Sequence, residues 1–118
     1  MKRDWDFIRD LLTDIEAGTD LKKKYVGTAE QEKFLYHARL LAESGYIERI
    51  EAKQNFSGEW TYSSSKPYLS EAGHDLLETI RSQTVWEKIK HGAKDKGIEL
   101  TTESVKALGA WALKAMLG

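Results

Sequence analysis

The chain has 118 residues, no cysteine, and 18 basic against 19 acidic residues, which gives a formal net charge of -1. This length supports a single small domain, and 41% hydrophobic residues are enough to build a core, which excludes a wholly disordered protein. The lack of cysteine excludes disulfides and thiol chemistry, and the near-neutral charge excludes a domain that holds nucleic acid by net charge alone.

The first predicted helix covers about Asp4 to Ala17. Asp4 is a suitable N-cap, and Gly18 is a suitable stop. Its inward stripe, at helical spacing, is Trp5, Ile8, Leu11, Leu12 and Ile15. The start of the chain carries no signal peptide pattern, and no apolar run approaches the ~18 residues of a membrane span, so a cytoplasmic protein without membrane contact is expected.

The second predicted helix covers residues 29–44. Thr28 followed by Gln31 has the spacing of a capping box, and Gly45 is a suitable stop. Its inward stripe is Gln31, Phe34, Leu35, Ala38, Leu41 and Ala42. The segment from Asp20 to Val26, which precedes it, is compatible with a short strand or with a connection into this helix.

A hairpin should follow the second helix. The first strand is predicted at Tyr46 to Glu51, a polar loop at Gln54 to Gly58, and a second strand at Trp60 to Tyr62. Pro67 follows a run of three serines, so the second strand should end or lie at an edge near it.

Three helices are predicted after the hairpin, at residues 71–81 with Ser70 as cap, at 85–96 and at 102–117. The last one has a broad apolar side, made by Val105, Leu108, Trp111, Ala112, Ala115 and Met116. Such a face should be buried against the domain or against a second subunit.

The order helix, hairpin, helix predicts an α+β, mostly α protein. We expect a winged helix-turn-helix-like domain with a two-stranded wing over residues 1–82. Two additional C-terminal helices, within residues 83–118, would pack on it or form a homodimer interface.

The opening segment, Met1 to Arg9, resembles a family of uncharacterised small bacterial and prophage proteins that open with Met-Lys-Arg-Asp-x-Asp-x-Ile-Arg. Further matches to that family are Tyr36-His37, Leu40-Leu41, Glu43 to Ile47, Leu69 to His74 and Gln83 to Trp86. The resemblance covers most of the chain and implies an association with phages, without assigning a biochemical role.

Two steps are similar to those of winged-helix transcription regulators. One is Leu-x-x-x-Gly-Tyr-Ile, ending at Ile47, and the other is Leu-Ser-x-x-Gly, beginning at Leu69. The chain departs from those regulators between Gly18 and Gly27, where there is room for barely one turn of the short helix that precedes their recognition helix. A winged helix that does not bind DNA therefore remains an alternative.

The leading hypothesis is a DNA-binding transcriptional regulator, with the helix from Thr28 to Ser44 in a groove and the Lys53 to Gly58 wing on the backbone. The candidate contacts to double-stranded DNA are Lys22, Lys23, Lys24, Lys33, Tyr36, His37, Arg39, Lys53 and Asn55. Against this hypothesis, Glu30, Glu32 and Glu43 share the presumed recognition helix, and carboxylates there would repel phosphates.

The alternative hypothesis is a phage accessory factor that binds a host protein and no DNA. Its candidate contacts are the aromatic or apolar side chains Tyr36, Leu40, Trp60 and Trp111. For Tyr36 and Leu40, burial beneath the wing or the C-terminal helices is the competing structural explanation.

Neither an enzyme nor a cofactor is expected. The sequence has no glycine-rich phosphate loop and no nucleophile elbow. His37, His74 and His91 lie in three different predicted helices and have no cysteine to join them, so no metal site is predicted.

Overall fold

A computed structural model describes residues 2–117. The elements in chain order are α1 (Trp5–Ala17), α2 (Leu21–Tyr25), α3 (Gln31–Glu43), β1 (Ile47–Gln54), β2 (Trp60–Leu69), α4 (Glu71–Ile80), α5 (Gln83–Lys96) and α6 (Thr102–Leu117). The protein is α+β and mostly helical, with an antiparallel two-stranded sheet, and it is compatible with the winged-helix class. None of the helices within residues 2–117 is long and apolar enough to cross a membrane.

The chain forms two compact units, residues 2–74 and residues 75–117, each of which is described by itself. The boundary between the two units, after residue 74, lies within α4. The sequence placed a boundary after residue 82, eight residues later. The earlier division has a local cause, because the second half of α4 packs closely on α6: a Cβ added to Gly109 would lie 2.3 Å from the Cγ2 of Thr79.

Helix α1 forms as predicted. Asp4 is its N-cap, and its carboxylate accepts a hydrogen bond from the Phe7 amide at 3.1 Å. Gly18 ends the helix in the left-handed conformation at φ 74°, which a glycine adopts without a steric penalty. The predicted apolar stripe is buried, and Phe7 is buried with it.

The segment from Asp20 to Val26, for which the sequence allowed a short strand or a connection, contains helix α2, so the strand interpretation is wrong. Asp20 caps this single turn by accepting a hydrogen bond from the Lys23 amide at 3.1 Å. Leu21 and Tyr25, four residues apart, are both buried, so the turn is held by its packing as well as its cap. A short helix therefore precedes α3.

Helix α3 begins two residues later than predicted, and the expected capping box is displaced. The Gln31 side chain accepts a hydrogen bond from the amide of Gly27, not from that of Thr28, at 2.7 Å. Thr28 Oγ1 accepts from the Glu30 amide at 3.2 Å and donates to the Tyr25 carbonyl, which closes the turn between α2 and α3. The predicted core positions Phe34, Leu35, Ala38 and Leu41 are buried.

The hairpin is longer than predicted, since β2 continues through Pro67 to Leu69. Pairing runs from Gln54 with Trp60 to Ile50 with Ser64, breaks, and resumes at Glu48 with Tyr68. The break is a bulge, in which Arg49 (φ 61°) and Lys66 (φ 49°) both adopt the left-handed backbone conformation. A bulge accommodates Pro67 because that position has no ladder hydrogen bond to lose.

Hydrogen bonds join the two segments that are similar to winged-helix regulators, Leu41 to Ile47 and Leu69 to Gly73; we call this contact the joint. The Ser70 amide donates to the Tyr46 carbonyl at 3.0 Å, and Ser70 Oγ donates to the Gly45 carbonyl. The same hydroxyl accepts from the Gly73 amide at 3.1 Å and so caps α4. A Cβ at Gly73 would lie 2.0 Å from the Tyr46 carbonyl oxygen. The start of α4 is thereby fixed against the end of α3.

The apolar side of α6 differs in part from the prediction. Val105, Leu108 and Ala112 are buried as expected, together with Gly109. Trp111 is 45% exposed and Met116 48% exposed, so the predicted apolar side is not wholly buried within the chain. The difference arises because the close approach at Gly109 turns that side of α6 inward and leaves the side of Trp111 partly open.

Candidate functional site

The outward side of α3 carries a mixture of charged and apolar side chains. Glu32 and Glu43 are exposed, while Tyr36, Arg39 and Leu40 between them are half-buried. Tyr36 stands edge-on to the His37 ring at a centroid distance of 5.0 Å. Tyr36 and Leu40 were expected either to contact a partner or to be buried beneath the wing or the C-terminal helices, and both are half-buried with some surface left exposed.

His37 lies in the core, so it is not available to a DNA groove, although the sequence placed it among the DNA contacts. Its side chain has 0% exposure. The Asp4 amide donates to His37 Nε2 at 2.9 Å, so Nδ1 carries the proton and donates to the Lys33 carbonyl at 2.7 Å. Burial lowers the pKa of His37 below its usual value. This neutral ring joins the start of α1 to α3.

Lys33, another predicted DNA contact, forms an ion pair with Asp4, at 2.7 Å from Nζ to Oδ2. The hydrogen bond to Asp4 raises the pKa of Lys33, and the hydrogen bond from Lys33 lowers the pKa of Asp4. The ammonium also lies 5.1 Å from the centroid of the Phe7 ring. Asp4 therefore holds α1 and α3 together with both its amide and its carboxylate.

The three lysines of α2 differ in their surroundings. Lys24 forms an ion pair with Asp14 at 2.8 Å, and the Tyr25 hydroxyl donates to the same carboxylate. Burial, with this hydrogen bond as the second cause, raises the pKa of Tyr25. Lys22 and Lys23 are exposed.

The two predicted contacts on the wing are engaged within the wing. Lys53 Nζ lies 3.2 Å from Glu51 Oε1. Asn55 Oδ1 accepts hydrogen bonds from the amides of Ser57 and Glu59, both at 2.9 Å. The Asn55 side chain therefore shapes the turn.

Sequence reasoning missed Phe56, which lies at the tip of this turn. Its side chain is fully exposed, at 112% of the reference area. The turn is further closed by hydrogen bonds from the Asn55 amide to the Glu59 carbonyl and from the Gln54 side chain to the Gly58 carbonyl. A phenylalanine inside the polar run Gln-Asn-Phe-Ser-Gly was the available signal, since such a loop offers it no apolar neighbour.

Arg39 and Trp60 connect α3 to the wing. The Arg39 guanidinium carbon lies 5.7 Å from the Trp60 ring centroid. Arg39 Nε and Trp60 Nε1 are both buried N–H donors without a hydrogen-bond partner, and Glu43 Oε1, at 4.0 Å from Nε, is too distant to serve. Buried donors are usually paired, so two such groups beside each other mark an unusual place on the surface.

These features define what we call the α3–wing surface. It consists of the outward side chains of α3 (Glu32, Tyr36, Arg39, Leu40 and Glu43) and wing residues 53–60. The structure brings together three of the four residues predicted for a protein partner, and the fourth, Trp111, lies on α6 in the second unit. Three carboxylates and two cations lie on this surface, so it has no positive band.

Comparison with known proteins identifies relatives without an assigned role. Residues 2–99 match the family DUF2513, described as a hypothetical protein. An uncharacterized protein of Haemophilus influenzae is 33% identical over 122 residues, covering 99% of each chain. No solved structure matches the chain significantly.

Proposed function

We propose that this chain, which belongs to the DUF2513 family of hypothetical proteins, is an interaction module whose α3–wing surface binds a protein partner. In view of the resemblance to prophage proteins, the partner would be a host protein and the chain a phage accessory factor. The observation that carries this proposal is the exposed Phe56 at the tip of a hydrogen-bonded turn.

Phe56 has the properties of an interface anchor. Its turn is pre-shaped by Asn55, so little conformational entropy is lost when the ring is buried. Burying a phenylalanine side chain contributes about 1.5–3 kcal/mol. Transfer of the exposed ring from water into an apolar pocket of a partner would therefore stabilise the complex by that amount.

Four of the basic residues predicted to contact DNA are paired with carboxylates, which favours a protein over a nucleic acid as the partner. Lys24, Lys33, Arg39 and Lys53 each lie within 4.0 Å of a carboxylate of the same chain. A phosphate backbone would have to displace those carboxylates and then remain close to them. A protein partner requires no such displacement, because mixed charges are common at the rim of protein interfaces.

The centre of the surface has the residue types that protein interfaces favour. Arginine, tyrosine and tryptophan are the residue types most enriched at binding hot spots, and Arg39, Tyr36 and Trp60 supply them here.

Site-specific photocrosslinking tests the proposal. A photoreactive amino acid replaces Ser57, next to Phe56, and the full chain is irradiated in host cells. We expect one discrete crosslinked protein, with its yield reduced about tenfold or more by Phe56→Ala because the anchor is lost. The matched control is Tyr68→Ala, which removes an exposed aromatic ring at the base of the hairpin and should leave the yield unchanged.

Two results would count against a protein partner: absence of any discrete crosslink, or equal crosslinking in wild type and in Phe56→Ala. Circular dichroism of each variant confirms that the fold is kept, which is expected because both side chains are exposed.

A DNA-binding regulator is the second candidate, and one observation favours it. Helices α2 and α3 with the following wing have the order of a DNA-binding helix-turn-helix, and Lys22 and Lys23 lie exposed on α2. Fluorescence anisotropy with random duplex DNA distinguishes the candidates. Salt-dependent binding that is lost in Lys22→Glu/Lys23→Glu supports the regulator, and the absence of binding at low salt supports the interaction module.

A further inference from the structure

The outer side of α6 leaves apolar surface exposed. Val105, Leu108 and Ala112 turn inward, while Leu113 and Leu117 on the other side are 44% and 89% exposed. Ala107 and Ala110, which precede the two leucines, are exposed on the same side. A helix side with small and apolar residues at successive turns is typical of a face that packs on another helix.

Three charged side chains lie on this same side, an acidic one at its start and basic ones at its flank (Lys106) and its end. Glu103 is in the first turn of α6 and Lys114 in the last, eleven residues apart, which is close to three full turns. Both side chains are exposed, and neither forms an ion pair with another described residue. The exposed face therefore has an acidic end and a basic end, with the two alanines in the middle and Lys106 at the flank.

From this arrangement we infer that α6 pairs antiparallel with α6 of a second copy of the chain, making a two-fold symmetric homodimer. An axis passing between positions 108 and 109 relates position 103 to position 114 and position 107 to position 110. It therefore places Glu103 of each copy opposite Lys114 of the other, and Ala107 opposite Ala110.

The charge pattern selects a second copy as the occupant. An antiparallel identical helix matches both charges at once, whereas a parallel copy would set Glu103 against Glu103 and Lys114 against Lys114. The alanines let the two backbones approach at the crossing point, and Leu113 and Leu117 are then shielded from water at both ends. Because α6 is only 16 residues long, the interface is small and the dimer should dissociate reversibly on dilution.

Sedimentation of the full-length chain with charge-swap variants tests the dimer. Wild type should shift from monomer to dimer between about 5 and about 500 µM, as mass action requires. Lys114→Glu and Glu103→Lys each replace two attractive contacts by repulsive ones, which should weaken dimerisation about tenfold. The double variant Glu103→Lys/Lys114→Glu restores both pairs and should recover the affinity of wild type to within about threefold.

The control variant is Lys94→Glu, which makes the same charge change at an exposed position on α5 and should dimerise like wild type. The inference is overturned if wild type stays monomeric at the highest concentration, if the single swaps leave the dimer unchanged, or if the double variant is no better than the single ones. Because these residues lie outside the α3–wing surface, Phe56→Ala should dimerise normally whatever its effect on a partner.

Discussion

The joint between α3, β1 and α4 gives the sharpest test of the fold. In Gly73→Ala, the added Cβ would lie 2.0 Å from the Tyr46 carbonyl oxygen, 3.0 Å from its carbonyl carbon and 3.3 Å from the Leu69 Cβ. The nearest atom belongs to the backbone and cannot swing away as a side chain does. The start of α4 therefore has to move by about 1 Å to reach an ordinary carbon-oxygen separation of about 3.3 Å.

The cost can be assembled from the contacts that this movement disturbs. Two hydrogen bonds hold the joint at this point, from the Ser70 amide to Tyr46 and from the Gly73 amide to Ser70, and a net loss of about 1 kcal/mol is expected for each. Steric strain adds about 1–3 kcal/mol. The higher helix propensity of alanine offsets about 1 kcal/mol of this destabilisation. We therefore expect a destabilisation of about 2–4 kcal/mol.

Urea unfolding followed by circular dichroism measures this difference as a lower midpoint at constant m-value. The matched control is Gly92→Ala on α5, where the nearest atom to the added Cβ is in the Trp111 ring, at 3.1 Å. That side chain is half-exposed and can give way, so the change should stay within about 1 kcal/mol of wild type. An unchanged or raised midpoint in Gly73→Ala would refute the close backbone approach.

Two further predictions concern single residues of the first unit. His37 has a pKa held below its ordinary 6.5 by burial, so wild type should lose about 1.4 kcal/mol of unfolding free energy per pH unit as the pH falls below 6.5, until the folded-state pKa is reached. His37→Gln should abolish this slope in urea titrations and exposed His91→Gln should keep it; equal slopes would contradict the buried ring. Lys66→Gly relieves the left-handed backbone at φ 49° and should raise the unfolding free energy by about 1 kcal/mol, whereas Ser65→Gly should lower it.

Much of the secondary structure followed from local signals. Asp4 and Gly18 delimit α1 because capping chemistry acts within one turn, and the apolar stripe of α3 follows from its helical period. Helix α2 could not be predicted from local signals in the same way. A single turn is too short to be stable by itself, and the burial of Leu21 and Tyr25 that secures it is a tertiary property.

The candidate site was less predictable, because it depends on contacts between residues far apart in sequence. His37 lies on the flank of α3, and what buries it is the start of α1, 33 residues away. Lys33 was chosen for its charge, and only the fold shows that Asp4 neutralises it. Phe56 was overlooked because a loop residue has no periodicity from which to infer exposure.

The sequence by itself determined the order of elements of a winged helix, because caps, helix stops and apolar periods are encoded within a few residues of where they act. The tertiary structure decided which charges are paired within the chain and which aromatic ring is exposed at the tip of the wing. Ion pairs and burial depend on which segments meet, and no short stretch of the chain encodes that meeting. For this reason the order of most elements could be predicted from local patterns, while the pairing of Lys33 and the exposure of Phe56 required the packed molecule.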